Sequence, residues 1–164
     1  MIKLLILDVD GCLTDGSLVY DSNGVESKSF NVKDGLGMST WQKIGNEIAI
    51  ITGKSSTMVQ KRATELGIKH IYQGIKDKKT TFNELIQALA LKPYEVAAIG
   101  DDLNDYEMLQ SVGRSFTPCN GVPIIQDLVD TVLKVKGGSG AVREMIDILV
   151  KENDQTEHFI SMWR

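Results

Sequence analysis

The chain is short of several things, and each shortage removes a class of explanation. Its 164 residues include two cysteines, Cys12 and Cys119, far apart and outside any CxxC or Cys/His spacing. That pattern excludes a disulfide scaffold and a zinc site of the usual kind, and both are expected as free thiols. Positive charge is in deficit, with 18 Lys and Arg against 22 Asp and Glu and a net charge of -4. No basic field is available to draw nucleic acid or an acidic membrane, so an anionic substrate must be met by local cations. No apolar run approaches the ~18 residues of a membrane span, and Met1 leads straight into an apolar strand without a charged leader. A cytoplasmic protein without a membrane partner is expected. Prolines number three, and no repeat, low-complexity tract or linker divides the chain. With 42% hydrophobic and 24% charged residues, it has the mix of one globular domain spanning 1–164.

What the chain does have is alternation. Residues 2–7 read as a buried strand. Leu18 to Tyr20 and Val25 to Phe30 flank Asn23-Gly24, a hairpin signal over 17–30. Helix and strand then take turns: helix 35–45, strand 47–52, helix 55–66, strand 70–73, helix 77–90 and strand 95–100. A shorter helix 104–111, strands at 114–117 and 131–135, and a helix 140–151 follow. This rhythm predicts an α/β fold with a Rossmann-like parallel sheet and helices on both faces. The intervals between the strand ends are filled by these elements, leaving no room for a cap domain. The tail 152–164 is polar and then ends in Phe159-Ile160-Ser161-Met162-Trp163, a sequence expected to dock on something.

Four polar clusters follow four predicted strands: Asp8-Val9-Asp10-Gly11, Thr52-Gly53-Lys54, Lys76-Asp77-Lys78-Lys79 and Gly100-Asp101-Asp102-Leu103-Asn104-Asp105. Parallel strands bring such loops to one edge, where open α/β sheets place ligands. Each cluster alone has a plain structural reading as a turn, a strand exit or a helix cap. Acid pair, hydroxyl, lysine and acid pair in succession point instead to one pocket. Crowded carboxylates need a cation to offset them, and an all-oxygen donor set suits a hard cation such as Mg²⁺. Asp8 and Asp101 are its side-chain ligand candidates, and Asp102 and Asp105 stand behind them.

The motif set DxDGxxT, Thr-Gly, Lys and GDDxxD, here Asp8 to Thr14, Thr52-Gly53, Lys78 and Gly100 to Asp105, resembles the haloacid dehalogenase superfamily phosphatases. Gly16, Tyr20, Gly24, Lys28, Phe30 and Asn31 to Gly35, together with Gln73-Gly74 and the run Gly137 to Glu144, are similar to its capless 3-deoxy-D-manno-octulosonate 8-phosphate phosphatase family and the related nonulosonate 9-phosphate phosphatases. The resemblance implies a phosphomonoesterase in which Asp8 is the nucleophile and Asp10 the acid and base. Thr52 and Lys78 would hold the transferring phosphoryl group, and Mg²⁺ would lie on Asp8, Asp101 and the Asp10 carbonyl. It implies substrate contacts at Asp10, Asn31, Val32, Lys33, Asp34, Gly35, Lys54, Arg62 and Lys78, a sugar-acid phosphate of lipopolysaccharide biosynthesis as substrate, and a homotetramer. The chain departs from the octulosonate pattern at Ser39 and Lys54, where arginine is usual.

Two other classes share part of this chemistry. A signalling receiver also has a phosphorylatable Asp, a Thr and a Lys, but its acidic pair precedes the accepting Asp, whereas here a second acidic pair follows the lysine. An idle regulatory domain would not need every motif residue. For Gly137 to Glu144 the structural expectation is a glycine strand exit with Ser139 capping the last helix, with Arg143 left for a subunit or substrate contact. The tail from His158 to Trp163 is expected to close over a neighbour's site.

Overall fold

The computed structural model describes residues 1–164. Its strands are β1 (Leu4–Leu7), β2 (Val19–Tyr20), β3 (Glu26–Ser27), β4 (Glu47–Ile51), β5 (His70–Tyr72), β6 (Val96–Ile99), β7 (Arg114–Thr117) and β8 (Thr131–Val132). Six form one sheet in the order β5-β4-β1-β6-β7-β8, parallel at every pairing. β2 and β3 form a separate antiparallel ribbon. The helices are α1 (Val32–Lys43), α2 (Thr57–Glu65), α3 (Lys78–Ala88), α4 (Tyr106–Ser111), α5 (Pro123–Gln126), α6 (Ala141–Glu152) and α7 (Thr156–Ser161). None is long and apolar enough to cross a membrane.

The central strand shows why the apolar runs were unbroken. Successive side chains point to opposite faces, so Leu5 and Leu7 enter the larger core with Met38 and Trp41 of α1 and Met145 and Leu149 of α6. Leu4 and Ile6 enter the smaller one with Phe82 and Leu85 of α3 and Met108 of α4. A strand covered on both faces must be apolar at every position, and all four residues of β1 are buried.

Several boundaries differ from the sequence expectation. α1 begins three residues early because Asn31 accepts a hydrogen bond from the Lys33 amide at 2.8 Å and caps it. The hairpin strands are only two residues each, because Asp21 organises a longer turn by accepting from the amides of Asn23 (2.8 Å) and Val25 (2.9 Å). The last helix is preceded by Gly140 at φ +107° with no side-chain cap, so Ser139 does not cap it. Gly137 and Gly138 serve close approach instead. A Cβ on Gly137 would overlap the Gly11 carbonyl, and the Gly138 amide donates to the Cys12 carbonyl at 3.0 Å.

The tail folds back on its own chain. Phe159 of α7 joins the larger core, the Trp163 indole N–H donates to Thr40 Oγ1 at 2.9 Å, and the Lys43 ammonium lies 4.3 Å from the Trp163 ring. Arg143 is likewise engaged within the chain: its amide donates to Asp34 and its guanidinium to Asp147, both at 2.8 Å.

Candidate active site

The site is built where β1, β4 and β6 end. Asp8 extends β1 by one ladder bond, its amide donating to the Ile99 carbonyl at 3.2 Å, and its side chain is buried. Beyond it the chain coils in a wide turn over Val9–Leu13, with Gly11 at φ +91°. Glycine is required there twice: the left-handed backbone disfavours a side chain, and a Cβ would overlap the Asp101 carboxylate. Thr14 ties the turn, its amide donating to the Val9 carbonyl at 3.0 Å. Thr52 ends β4, buried and fixed by its amide to the Tyr72 carbonyl and its own carbonyl to the Ile75 amide, each 3.0 Å. Asp101 follows β6, its carbonyl accepting from the Val122 amide at 2.9 Å.

Lys78 is the hub. At the start of α3, behind an Asp77 cap, it is buried and donates to Asp8 Oδ1 at 2.7 Å and to Asp105 Oδ1 at 2.5 Å. Asp105, fully buried, accepts the Asp101 amide at 3.0 Å and the Asp102 amide at 3.4 Å on its other oxygen. It therefore fixes both the lysine and the acidic loop. Asp102 instead accepts from the Leu103 amide at 2.7 Å and starts a short helical turn.

The electrostatics follow from three carboxylates around one ammonium. Burial, with the charge of Asp105 added, pushes Asp8 up to about 7 against the opposing pull of Lys78. Burial and the charges of Asp105 and Asp102 push Asp101 up to about 6. Burial alone would lower Lys78, but Asp8 and Asp105 outweigh it and hold its pKa above the ordinary value. Burial is the first cause of both carboxylate shifts and the neighbouring carboxylates add to it, so a bound cation would offset the cost of ionising Asp8 and Asp101. Asp8, Cys12 and Asp101 place one ligand atom each within 4.8 Å of one another. Burial holds the Cys12 thiol well above its usual range, so it stays protonated and is a poor ligand for a hard ion. The two carboxylates fit Mg²⁺.

Asp8, Asp10, Thr52, Lys54 and Asp101 line one open cleft of about 250 Å³ together with Asn104, so the clusters predicted to converge do so. A second group lies elsewhere. Asn31, Asp34 and Arg62 line an apolar cavity under α1, and a Cβ on Gly35 would overlap the Arg62 guanidinium. Asp34 is 1% exposed, with Oδ1 on the Arg143 amide and Oδ2 buried without a partner. Burial raises it to about 6, against the opposing pull of that amide and of the Arg143 and Arg62 charges. Val32 and Lys33 are exposed at the start of α1. Within one chain, then, the 31–35 segment and Arg62 do not line the cleft. Sequence reasoning missed the reach of the hairpin. The Lys28 ammonium donates to Asp10 Oδ1 at 2.6 Å and sits 3.4 Å from Glu26 Oε1, which also pairs with Lys54 at 3.4 Å. Its only sequence signal was a lysine at a fixed place in the hairpin pattern.

The geometry has close counterparts. Residues 31–113 match the model of the haloacid dehalogenase-like hydrolases, a span that holds Thr52, Lys78 and Asp101. The 3-deoxy-D-manno-octulosonate 8-phosphate phosphatase of Escherichia coli K12 is 44% identical over 149 residues, 91% of this chain and 79% of its own length. The crystal structure of the Moraxella catarrhalis enzyme of that name, with magnesium, phosphate and KDO, superposes with a TM-score of 0.95 at 41% identity, covering 99% of this chain and 94% of that one. The cobalt-bound Haemophilus influenzae enzyme superposes at 0.88 and 38% identity, covering 92% and 88%. Likeness sustained from the first strand to the last helix places this chain in the haloacid dehalogenase-like hydrolases, among the 3-deoxy-D-manno-octulosonate 8-phosphate phosphatases.

Proposed function

We propose that the protein hydrolyses 3-deoxy-D-manno-octulosonate 8-phosphate to the free sugar acid and phosphate, through an aspartyl-phosphate on Asp8. The observation that carries this reading is a buried carboxylate held by Lys78 at 2.7 Å at the end of the central strand, with Asp10 and Asp101 beside it in the same cleft. In the first half-reaction an Asp8 oxygen bonds to phosphorus, the bond from phosphorus to the sugar oxygen breaks, and Asp10 gives that oxygen its proton. In the second, Asp10 takes a proton from water as the water oxygen bonds to phosphorus and the bond to Asp8 breaks. Lys78 and Thr52 stabilise the phosphoryl oxygens during both transfers. Mg²⁺, held by Asp8, Asp101 and the Asp10 carbonyl, supplies the remaining positive charge.

The substrate needs cations at two ends, one for phosphate and one for carboxylate. Lys78 serves the first, and Lys33, Lys54 and Arg62 are the remaining candidates, with Asn31, Val32, Asp34 and Gly35 around them. Lys54 lines the cleft of its own chain, whereas Lys33, Arg62 and the 31–35 segment lie off it, so their contribution requires a neighbouring subunit. Leu18, Val19, Tyr20 and Val25 are more than half exposed on the hairpin, and a two-stranded ribbon is marginal alone. Four hairpins joined in a homotetramer would cover this surface and bring neighbours to the site. Light scattering at micromolar concentration is expected to give the tetramer mass, and a monomer would reject the assembly. A cytoplasmic role in lipopolysaccharide biosynthesis is part of this reading.

Ser39 and Lys54 favour a second reading, a nonulosonate 9-phosphate as substrate, because lysine lacks the bidentate fork of arginine. The test compares kcat/KM for the two acids and for glucose 6-phosphate at one Mg²⁺ concentration. Both acids are expected to exceed the neutral sugar by at least roughly tenfold, or ~1.4 kcal/mol. Equal use of all three would mean a general phosphatase.

A further inference from the structure

Lys28 takes no part in the mechanism above, yet its side chain is 2% exposed. Lysine is rarely buried to that degree unless it is paired. Its partners are Asp10, at 2.6 Å, and Glu26, at 3.4 Å. Asp10 is itself partly open to the cleft, with its side chain 30% exposed, so this pair is not a feature of the core. Nor is it the only tie between hairpin and body: Lys54 grips Glu26 from the outside, and Phe30 packs against the larger core.

We infer that Lys28 is a positioning residue for Asp10. The inference rests on the reading of Asp10 as acid and base. The χ2 torsion of an aspartate is broad, so an unheld carboxyl near a leaving group presents either oxygen over a range of angles. An ammonium fixed on Oδ1 ends that freedom and leaves Oδ2 as the oxygen that carries the proton. In the first half-reaction the proton on Oδ2 passes to the departing sugar oxygen. In the second, the same atom receives a proton from the attacking water. Lys28 keeps its three protons throughout and touches neither substrate nor phosphorus. The hairpin thereby sets the geometry of the acid from eighteen residues away.

The test is the dependence of kcat/KM on the leaving group, measured with phenyl, 4-chlorophenyl and 4-nitrophenyl phosphate so that no sugar contact enters. This ratio reports steps up to the first P–O cleavage, and a 4-nitrophenolate departs without a proton whereas phenolate benefits from one. Lys28→Met is expected to lower kcat/KM for phenyl phosphate by roughly tenfold or more, a share of the ~10²–10⁴ that a positioned acid supplies. For 4-nitrophenyl phosphate the loss should stay under about threefold, and Lys28→Arg should recover most of the phenyl rate. Equal losses along the series, or a loss confined to the sugar acid phosphate, would overturn the inference in favour of a structural or a substrate-binding lysine. Thermal unfolding is read beside each variant, and Lys28→Gln carries the same comparison if the methionine variant does not fold. Wild-type turnover of the aryl phosphates and of 3-deoxy-D-manno-octulosonate 8-phosphate is the control: absence of both refutes the phosphatase reading, and with it this inference, whereas a normal wild type with an unchanged slope in the variants refutes only the role of Lys28.

Discussion

Asp105→Asn isolates what the buried hub contributes. Asp105 uses one oxygen for Lys78 at 2.5 Å and the other for the Asp101 amide at 3.0 Å. Asparagine is nearly the same shape but has one acceptor oxygen, so whichever contact its NH₂ meets becomes donor against donor. The loss of a charge-assisted bond costs ~1.5–3 kcal/mol and an unsatisfied buried donor a further ~1–3 kcal/mol, giving a net ~3–5 kcal/mol, the range for removing one partner of a buried pair. For a chain of this size ~1 kcal/mol shifts Tm by about 2–4 °C, so a fall of roughly 6–20 °C is expected. Opposing it, the variant removes one negative charge from a cluster that has too many. That relief is largest without a cation, because Mg²⁺ already offsets the excess. Calorimetry at pH 7.5 and fixed protein concentration should therefore show a larger drop in saturating Mg²⁺ than in chelator. A Tm unchanged in both conditions would refute the assignment of Asp105 as the residue that fixes Lys78.

Three other outcomes follow from the same geometry. Asp10→Asn should accumulate a phosphorylated Asp8 that acid quench traps, since attack on phosphorus survives while water activation is lost; parental turnover would show that Asp10 is not the base. Mg²⁺ affinity should fall as pH drops through about 7 and then about 6, where protons claim Asp8 and Asp101, by about tenfold or more between pH 8 and 5.5 in a calorimetric titration, and a flat profile would deny both as ligands. Asp34 is raised to about 6 from 3.8, so its folded form holds a proton more tightly than its unfolded form. Its contribution is intact below about pH 4 and is lost as pH rises to about 6, by at most roughly 3 kcal/mol. Asp34→Asn should accordingly gain Tm relative to wild type on going from pH 4 to pH 8, and a constant difference between the two would contradict the raised pKa.

The parts of this molecule that were legible in the sequence are those where a single local rule decides. β1, β4 and β6 are covered on both faces, and unbroken apolar runs such as Leu4 to Leu7 announce that. Asp8, Thr52 and Asp101 were legible because each follows such a run in a parallel sheet, which brings the strand ends to one edge, and Lys78 because it opens the helix after the next strand, β5. What stayed hidden depends on contacts between distant segments or on elements too short to show a period. Asp105 reads as a residue standing behind the metal ligands, but its bond to Lys78, 27 residues away, shows only once the chain is folded. Lys28 is only one residue of the hairpin pattern until the ribbon is seen to bring it onto Asp10. α5 has four residues and α7 six, and neither has a side-chain cap to mark its start. Ser139 looked like a cap because serine usually is one, but the neighbouring glycine, with its left-handed backbone, took the position.

The placement of β1 has a consequence for the order in which the protein can become active. Within this chain β1 is synthesised before the two strands that flank it in the sheet, β4 and β6, and the turn that follows it is buttressed by Gly137 and Gly138. A nascent chain therefore holds its nucleophile on an apolar strand that can pair with β4 on one side but keeps its other edge open until Val96 to Ile99 are made. The catalytic turn gains its last wall only when residues near 138 arrive. Contacts of such sequence separation slow folding and leave strand edges open meanwhile. The same arrangement ensures that no truncated product ending before that glycine pair carries a finished site.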